Sequence, residues 1–113
     1  MFGLSVRWSL TSAPAGALEK LRAYVEDESF TRFASLSGLR FKTWRAREGE
    51  WFEGTYVFVS AQARQEFQDE FVAGAEQAPA TRVLGVPPVV EPFEVVAVVR
   101  GPAGFRSAPR FEQ

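Results

Sequence analysis

Two side chains set two residues apart carry the strongest chemical signal in the chain. Lys42 and Trp44 stand at i and i+2, and in a strand that spacing turns both to one face. An amine beside an indole can hold an aromatic anion, ring against ring and charge against charge. Arg7 offers a second cation and Tyr56 a hydroxyl. Glu53 could neutralise Lys42 or serve as a carboxylate base, and Tyr56, Glu91 and Glu94 are the other groups able to take a proton. The chain has neither histidine nor cysteine. That removes the commonest general base, the commonest metal ligand, the usual proximal haem ligand and any thiolate nucleophile. Zinc hydrolases, histidine-based triads and His-ligated haem proteins are excluded. No carboxylate pair has metal-binding spacing, so no metal is expected, and no residue is assigned as catalytic.

These side chains need elements to position them. Leu4, Val6, Trp8 and Leu10 alternate with Ser5, Arg7 and Ser9, the period of a half-buried strand. Thr11-Ser12-Ala13-Pro14 reads as a helix start with a hydroxyl cap and an early proline. Leu18, Leu21 and Val25 mark one face of the short helix that follows. Residues 30–38 read as a mixed connection in which Phe33 and Leu36 form a partial turn plugging the core. Alternation returns at Leu39, passes a polar turn at Arg47-Glu48-Gly49-Glu50, and resumes over Trp51 to Ser60, which predicts an antiparallel hairpin. Ser60 then caps a helix whose apolar stripe is Ala63, Phe67, Phe71 and Ala75, ended by Gly74 and Pro79. Thr81 to Pro88 reads as a connection. Val89 to Val99 is the last strand, with Pro92 marking an edge or bulge. Its all-apolar Val95–Val99 part predicts cover on both faces.

The order β-α-β-β-α-β is the ferredoxin-like α+β arrangement, a four-stranded antiparallel sheet with two helices on one face. The other face is left bare and calls for a polar surface or a second subunit. With Leu4/Val6/Trp8/Leu10 and Leu39/Phe41 toward the helices, that bare face would carry Ser5, Arg7, Ser9, Arg40, Lys42 and Trp44. It reads either as a ligand pocket or as a solvated or interface surface. The hairpin turn leaves the third strand open. Two turn residues would set Lys42 opposite Thr55 and Trp44 opposite Glu53; three would bring Tyr56 and Phe58 to that face instead.

The stretch Gly38-Leu-Arg-Phe-Lys42-Thr-Trp44, then Gly54-Thr-Tyr56-Val-Phe58, then a helix and Gly85-Val86 before a valine-rich strand, resembles the YdhR-like mono-oxygenases. These belong to the dimeric α+β barrel superfamily, with the antibiotic-biosynthesis mono-oxygenases. The resemblance spans about residues 3–99. It implies a homodimer whose sheets face each other to form a barrel, with the bare face lining a cavity. It also implies oxygenation of a small aromatic, polyphenol-like substrate without metal or organic cofactor. Lys42, Trp44 and Tyr56 match the family's motif positions and Arg7 matches more loosely, so these four are the expected substrate-binding residues.

Length and charge bound the rest. The chain has 113 residues, 46% hydrophobic and 24% charged, which fits one domain. The expected division is a domain over 1–100 and a C-terminal tail over 101–113. Thirteen basic against fourteen acidic residues leave no field to attract nucleic acid or an anionic membrane. Five apolar residues at Val95–Val99 cannot span a bilayer, and residues 1–12 do not read as a signal peptide. The expectation is a cytoplasmic homodimer that binds a small aromatic or anionic ligand. The rival expectations are a non-catalytic binding or stress-response barrel, and a purely structural dimerisation module.

Overall fold

The computed structural model describes residues 1–107 and 111–112. Strands β1 (Phe2–Ser9), β2 (Leu39–Arg47), β3 (Trp51–Phe58) and β4 (Val89–Glu94) form one antiparallel sheet in the order β2-β3-β1-β4. Helices α1 (Ala17–Tyr24), α2 (Phe30–Ala34), α3 (Ala61–Ala73) and α4 (Pro79–Leu84) pack on one face of it. This is the ferredoxin-like α+β arrangement expected from the alternation of patterns. Two-residue strands β5 (Arg106–Ser107) and β6 (Phe111–Glu112) pair with each other near the C-terminus. The expected tail, 101–113, includes residues 108–110 and 113, which lie outside the described residues. No helix among the described residues is long and apolar enough to cross a membrane.

The core lies between the sheet and the helices. Leu4, Val6 and Trp8 of β1, Phe52, Tyr56 and Phe58 of β3, Leu18 and Leu21 of α1, and Phe33 of α2 are buried together. The alternation in β1 therefore does what its period predicts. The helix start differs: α1 begins after Gly16, which adopts φ 78° and makes no side-chain cap. The Thr11 amide instead donates to the Ser9 hydroxyl at 3.2 Å and the two hydroxyls bond to each other at 2.9 Å, so the hydroxyls serve a turn. The expected mixed connection over 30–38 is helical as far as Ala34, because a π-helical turn at Val25–Ser29 joins α1 directly to α2. Ser60 caps α3 as its sequence predicts, accepting from the Ala63 amide at 3.1 Å. The expected connection over 81–88 is partly helix, with Pro79 supplying the first turn of α4.

The last strand is shorter than its valines predict. It ends at Glu94, opposite Phe2, because β1 has no residues left to pair; one further bond joins the Val95 amide to the Met1 carbonyl. Val96 and Val99 are 95% and 91% exposed, so the cover expected on both faces is not supplied by the described residues. Pro92 does lie on an edge strand, as its missing donor requires.

The hairpin register decides the site. Arg47 pairs with Trp51, leaving three turn residues. Gly49 at φ 76° takes the left-handed third position of the Arg47–Glu50 turn, which the Glu50 amide closes on the Arg47 carbonyl at 2.9 Å. Lys42 is thereby set opposite Tyr56, and Trp44 opposite Gly54. Since Leu4 and Val6 pair with the same two β3 residues, Lys42 and Trp44 face the helices. The bare-face placement is therefore corrected. Its cause is a β-bulge between Leu39 and Phe41. The extra residue breaks the period of two, so Leu39 and Lys42 share the helix side while Phe41 faces away.

Candidate functional site

Three elements bring an amine into a ring of aromatic faces. Lys42 comes from β2, Tyr56 from the neighbouring β3, and Phe33 from α2. The Lys42 Nζ donates to the Tyr56 hydroxyl at 2.8 Å. It lies 3.5 Å from the Phe33 ring centroid, 4.2 Å from that of Tyr56 and 4.4 Å from that of Trp44. Gly54 makes the path for it. A Cβ there would stand 3.2 Å from the Lys42 Cε and 3.4 Å from the Tyr56 hydroxyl. Phe33 and Gly54 are the site residues that strand-pattern reasoning misses. Phe33 arrives through a helix read as a connection, and Gly54 acts by having no side chain.

Burial pushes the Lys42 amine down to about 6, and the Arg32 guanidinium pushes the same way. Ring faces favour a cation, but desolvation dominates, and near neutral pH the group is chiefly an uncharged amine. Tyr56 moves in the opposite direction. Burial holds its hydroxyl well above the ordinary phenol value, with Tyr24 adding to the rise and Arg32 opposing it. The pair is thus a neutral amine and a neutral phenol in contact.

Two cavities meet at this amine. One, of about 420 Å³, runs under α3 and is lined by Trp8, Tyr24, Arg32, Phe67 and Phe71. The other, of about 670 Å³, opens along β2 beside Arg22, Phe30 and Arg40. Lys42, Trp44, Phe33 and Phe52 line both. The first exists because α3 stands off the sheet: none of its residues is fully buried, and Phe67 and Phe71 are only half-buried against the core.

Of the four expected site residues, the structure brings together Lys42, Trp44 and Tyr56. It does not bring Arg7, which lies on the opposite sheet face. There Arg7 and Arg45 both donate to Glu53, at 3.0 and 2.5 Å. Ser5 and Thr55 complete its shell at 3.0 Å each. The sequence option of Glu53 as counterion or base for Lys42 is therefore corrected, because three turn residues give it the other parity. Glu53 is 3% exposed. Burial raises its pKa, and the bonds from Arg45, Ser5, Thr55 and Arg7 outweigh that and hold it below the ordinary carboxylate value. Glu91 pairs in register with Ser5 on the same face and Glu94 sits at the sheet end, so neither approaches the amine. The open face is otherwise a row of Thr43, Thr55 and Ser5 between the charges and an apolar row of Phe41, Val57 and Gly3, with the Phe93 ring lying across Gly3.

No family model matches the chain and no curated protein matches its sequence. Solved structures do. A monooxygenase from the gene ActVA-Orf6 of Streptomyces coelicolor, in complex with nanaomycin D, aligns with TM-score 0.65 over 88% of this chain and 91% of its own, at 16% identity. MhuD, with two manganese protoporphyrin IX bound per active site, aligns with TM-score 0.60 over 88% and 98%, at 19% identity. This chain shares the fold of both proteins. A protein of unknown function from Nitrosomonas europaea shares it, with TM-score 0.68 over 88% and 93%, at 22% identity. At these identities the likeness is one of fold.

Proposed function

We propose that this chain is a YdhR-like mono-oxygenase that oxidises a small aromatic, polyphenol-like substrate without a cofactor, in the cavity between helices and sheet. The observation that carries the reading is the Lys42 amine, uncharged near neutral pH and seated among aromatic faces where two cavities meet. The substrate ring stacks against Trp44 and Phe33. Lys42 takes the acidic proton, and the resulting ammonium stabilises the electron-rich anion in a water-poor site. Such an anion can reduce oxygen itself. One oxygen atom enters the ring as a carbonyl and the other leaves as water with the two hydrogens that the substrate loses. Tyr56 holds the amine in place and can return a proton. The fold neighbour MhuD binds a metalloporphyrin, but this chain has no histidine or cysteine to ligate such a metal, and the group does not fit these residues.

The active form in this reading is a cytoplasmic homodimer, with a second copy over the open sheet face, Arg7 and Glu53 beneath it, and residues 101–113 as an appendage to a 1–100 domain. The test is a thermal-shift screen of quinols, polyphenols and aromatic acids, followed by oxygen uptake with the compounds that bind. A ligand at 100 times its dissociation constant adds about 2.7 kcal/mol of stability. Lys42→Met is expected to lower oxygen uptake about a hundredfold, the usual loss on removing a general base. Binding without oxygen uptake would support the second reading, a non-catalytic aromatic-binding barrel. No binding by any compound would overturn both.

A further inference from the structure

Eleven of the thirteen basic residues are arginine, and only Lys20 and Lys42 are lysine. Arginine stays charged at any ordinary pH and cannot act as a nucleophile, whereas a desolvated lysine amine can. One of the two lysines is exposed on α1. The other is the half-buried amine at the cavity junction, with its lone pair beside a hydroxyl and no charge needed to hold it. Oxygen chemistry uses this group as a base; the same geometry equips it as a nucleophile.

We propose that Lys42 forms a covalent imine with aromatic aldehydes that enter the cavity, Tyr56 serving as the proton relay. The inference rests on the same cavity but not on any reaction with oxygen. The Nζ lone pair attacks the carbonyl carbon, and the C=O pair moves to oxygen. That oxygen takes the Tyr56 proton, and the nitrogen returns one, leaving a neutral carbinolamine. Tyr56 then protonates the hydroxyl, the C–O bond breaks, and water leaves as the C=N bond forms. The remaining N–H proton restores Tyr56. Amine and aldehyde become imine and water, with no oxidant or reductant. The Lys42–Tyr56 contact of 2.8 Å puts the relay within reach of both steps. The rings of Phe33 and Trp44, each within 4.5 Å of the nitrogen, favour an aldehyde with a flat apolar ring.

The charged and titratable groups around the amine set its pH response. From α1 and the π-helical turn these are Arg22, Tyr24 and Glu26; from α2, Arg32; from β3, Tyr56. Arg40 and Arg45 of β2 and Glu66 and Glu70 of α3 line the outer parts of the two cavities. Burial and Arg32 dominate, and the amine is at about 6. Lys42 should therefore react fully at pH 7, where an ordinary lysine is almost wholly protonated.

The experiment traps the imine. Full-length protein is incubated with benzaldehyde and cyanoborohydride at pH 7, and the benzylated lysines are read by peptide mass spectrometry. Lys42 is expected to be labelled at least about tenfold faster than Lys20 at pH 7, with little further gain in Lys42 labelling between pH 7 and 9. Tyr56→Phe should slow Lys42 labelling about tenfold and leave Lys20 unchanged. Benzyl alcohol, which has the ring and no carbonyl, is titrated in parallel against tryptophan fluorescence. Quenching without preferential Lys42 labelling overturns the imine proposal and leaves the cavity reading standing. Neither quenching nor labelling overturns both. Equal labelling of the two lysines at pH 7 also overturns the proposal.

Discussion

An amine that titrates at about 6 in the folded chain and near 10.5 when unfolded makes the unfolded chain the better proton binder between those values. Stability therefore rises with pH across that window and is lost as pH falls toward 6. Lys42→Met removes the burden. The variant should be more stable than the wild type at pH 7 by about 1–3 kcal/mol, a figure below full burial because the side chain borders two cavities. Its advantage should shrink as pH approaches 10. Urea unfolding at pH 6, 7, 8 and 9 measures this, and a Lys42→Met chain less stable at pH 7 would refute it. Glu53 has the same pH sense in a lower window, but as a stabilising group rather than a burden. Its pKa is held down in the fold, so its contribution is present above the ordinary carboxylate value and lost as pH falls through the folded one. Glu53→Gln leaves Arg7 and Arg45 side by side and should cost about 1–3 kcal/mol at pH 7, discounted because both arginines are well exposed. At acid pH, where Glu53 itself is protonated, the two chains should converge.

At the scale of elements, the site depends on three local departures from regularity. The bulge at Arg40 and the three-residue turn at Gly49 fix which face of β2 meets the helices. The π-helical turn at Val25–Ser29 sets the rotation of α2, and so brings Phe33 over the amine. Deleting exposed Asp27 should convert that turn to α-helix and rotate α2 by about 100°, one residue of helical rotation. Helix content by circular dichroism should persist, while Phe33 leaves Lys42 and aromatic ligands lose their stacking partner. Unchanged ligand binding in this variant would show that Phe33 is dispensable. The same departures explain what the sequence made legible. Regular alternation in β1 and the Ser60 cap are local signals, and both hold. Lys42 and Trp44 could be grouped from their i, i+2 spacing, and Tyr56 joins them through the family resemblance, since the hairpin turn leaves its face open. The face they occupy could not be read, since one bulged residue and one turn residue each reverse parity without altering composition. Arg7 was grouped with them on the same reasoning and is separated for the same reason.

At the scale of the molecule, the helices satisfy one sheet face and leave the other to be covered. The chain does part of this itself. Val57 and Glu53 are each only 3% exposed there, Phe93 lies over Gly3, and Phe105 packs on Phe41 with ring centroids 6.4 Å apart. What remains uncovered is the hydroxyl row and, beyond the end of β4, exposed Val96, Val98 and Val99, with Val89 exposed on the strand itself. Apolar side chains continuous with a sheet edge are a poor solvent surface and a good pairing surface. A second copy would remove both from water. The chain should therefore sediment as a dimer at micromolar concentration, and Val96→Glu/Val99→Glu should shift it toward monomer. The double variant should keep the Lys42 cavity, which is built wholly from one chain, so fluorescence quenching by an aromatic ligand should survive dissociation. Joint loss of dimer and binding would mean that the cavity needs the second copy to close it. A wild-type chain that stays monomeric at high concentration would leave the valine run exposed and remove the dimer from the proposed function.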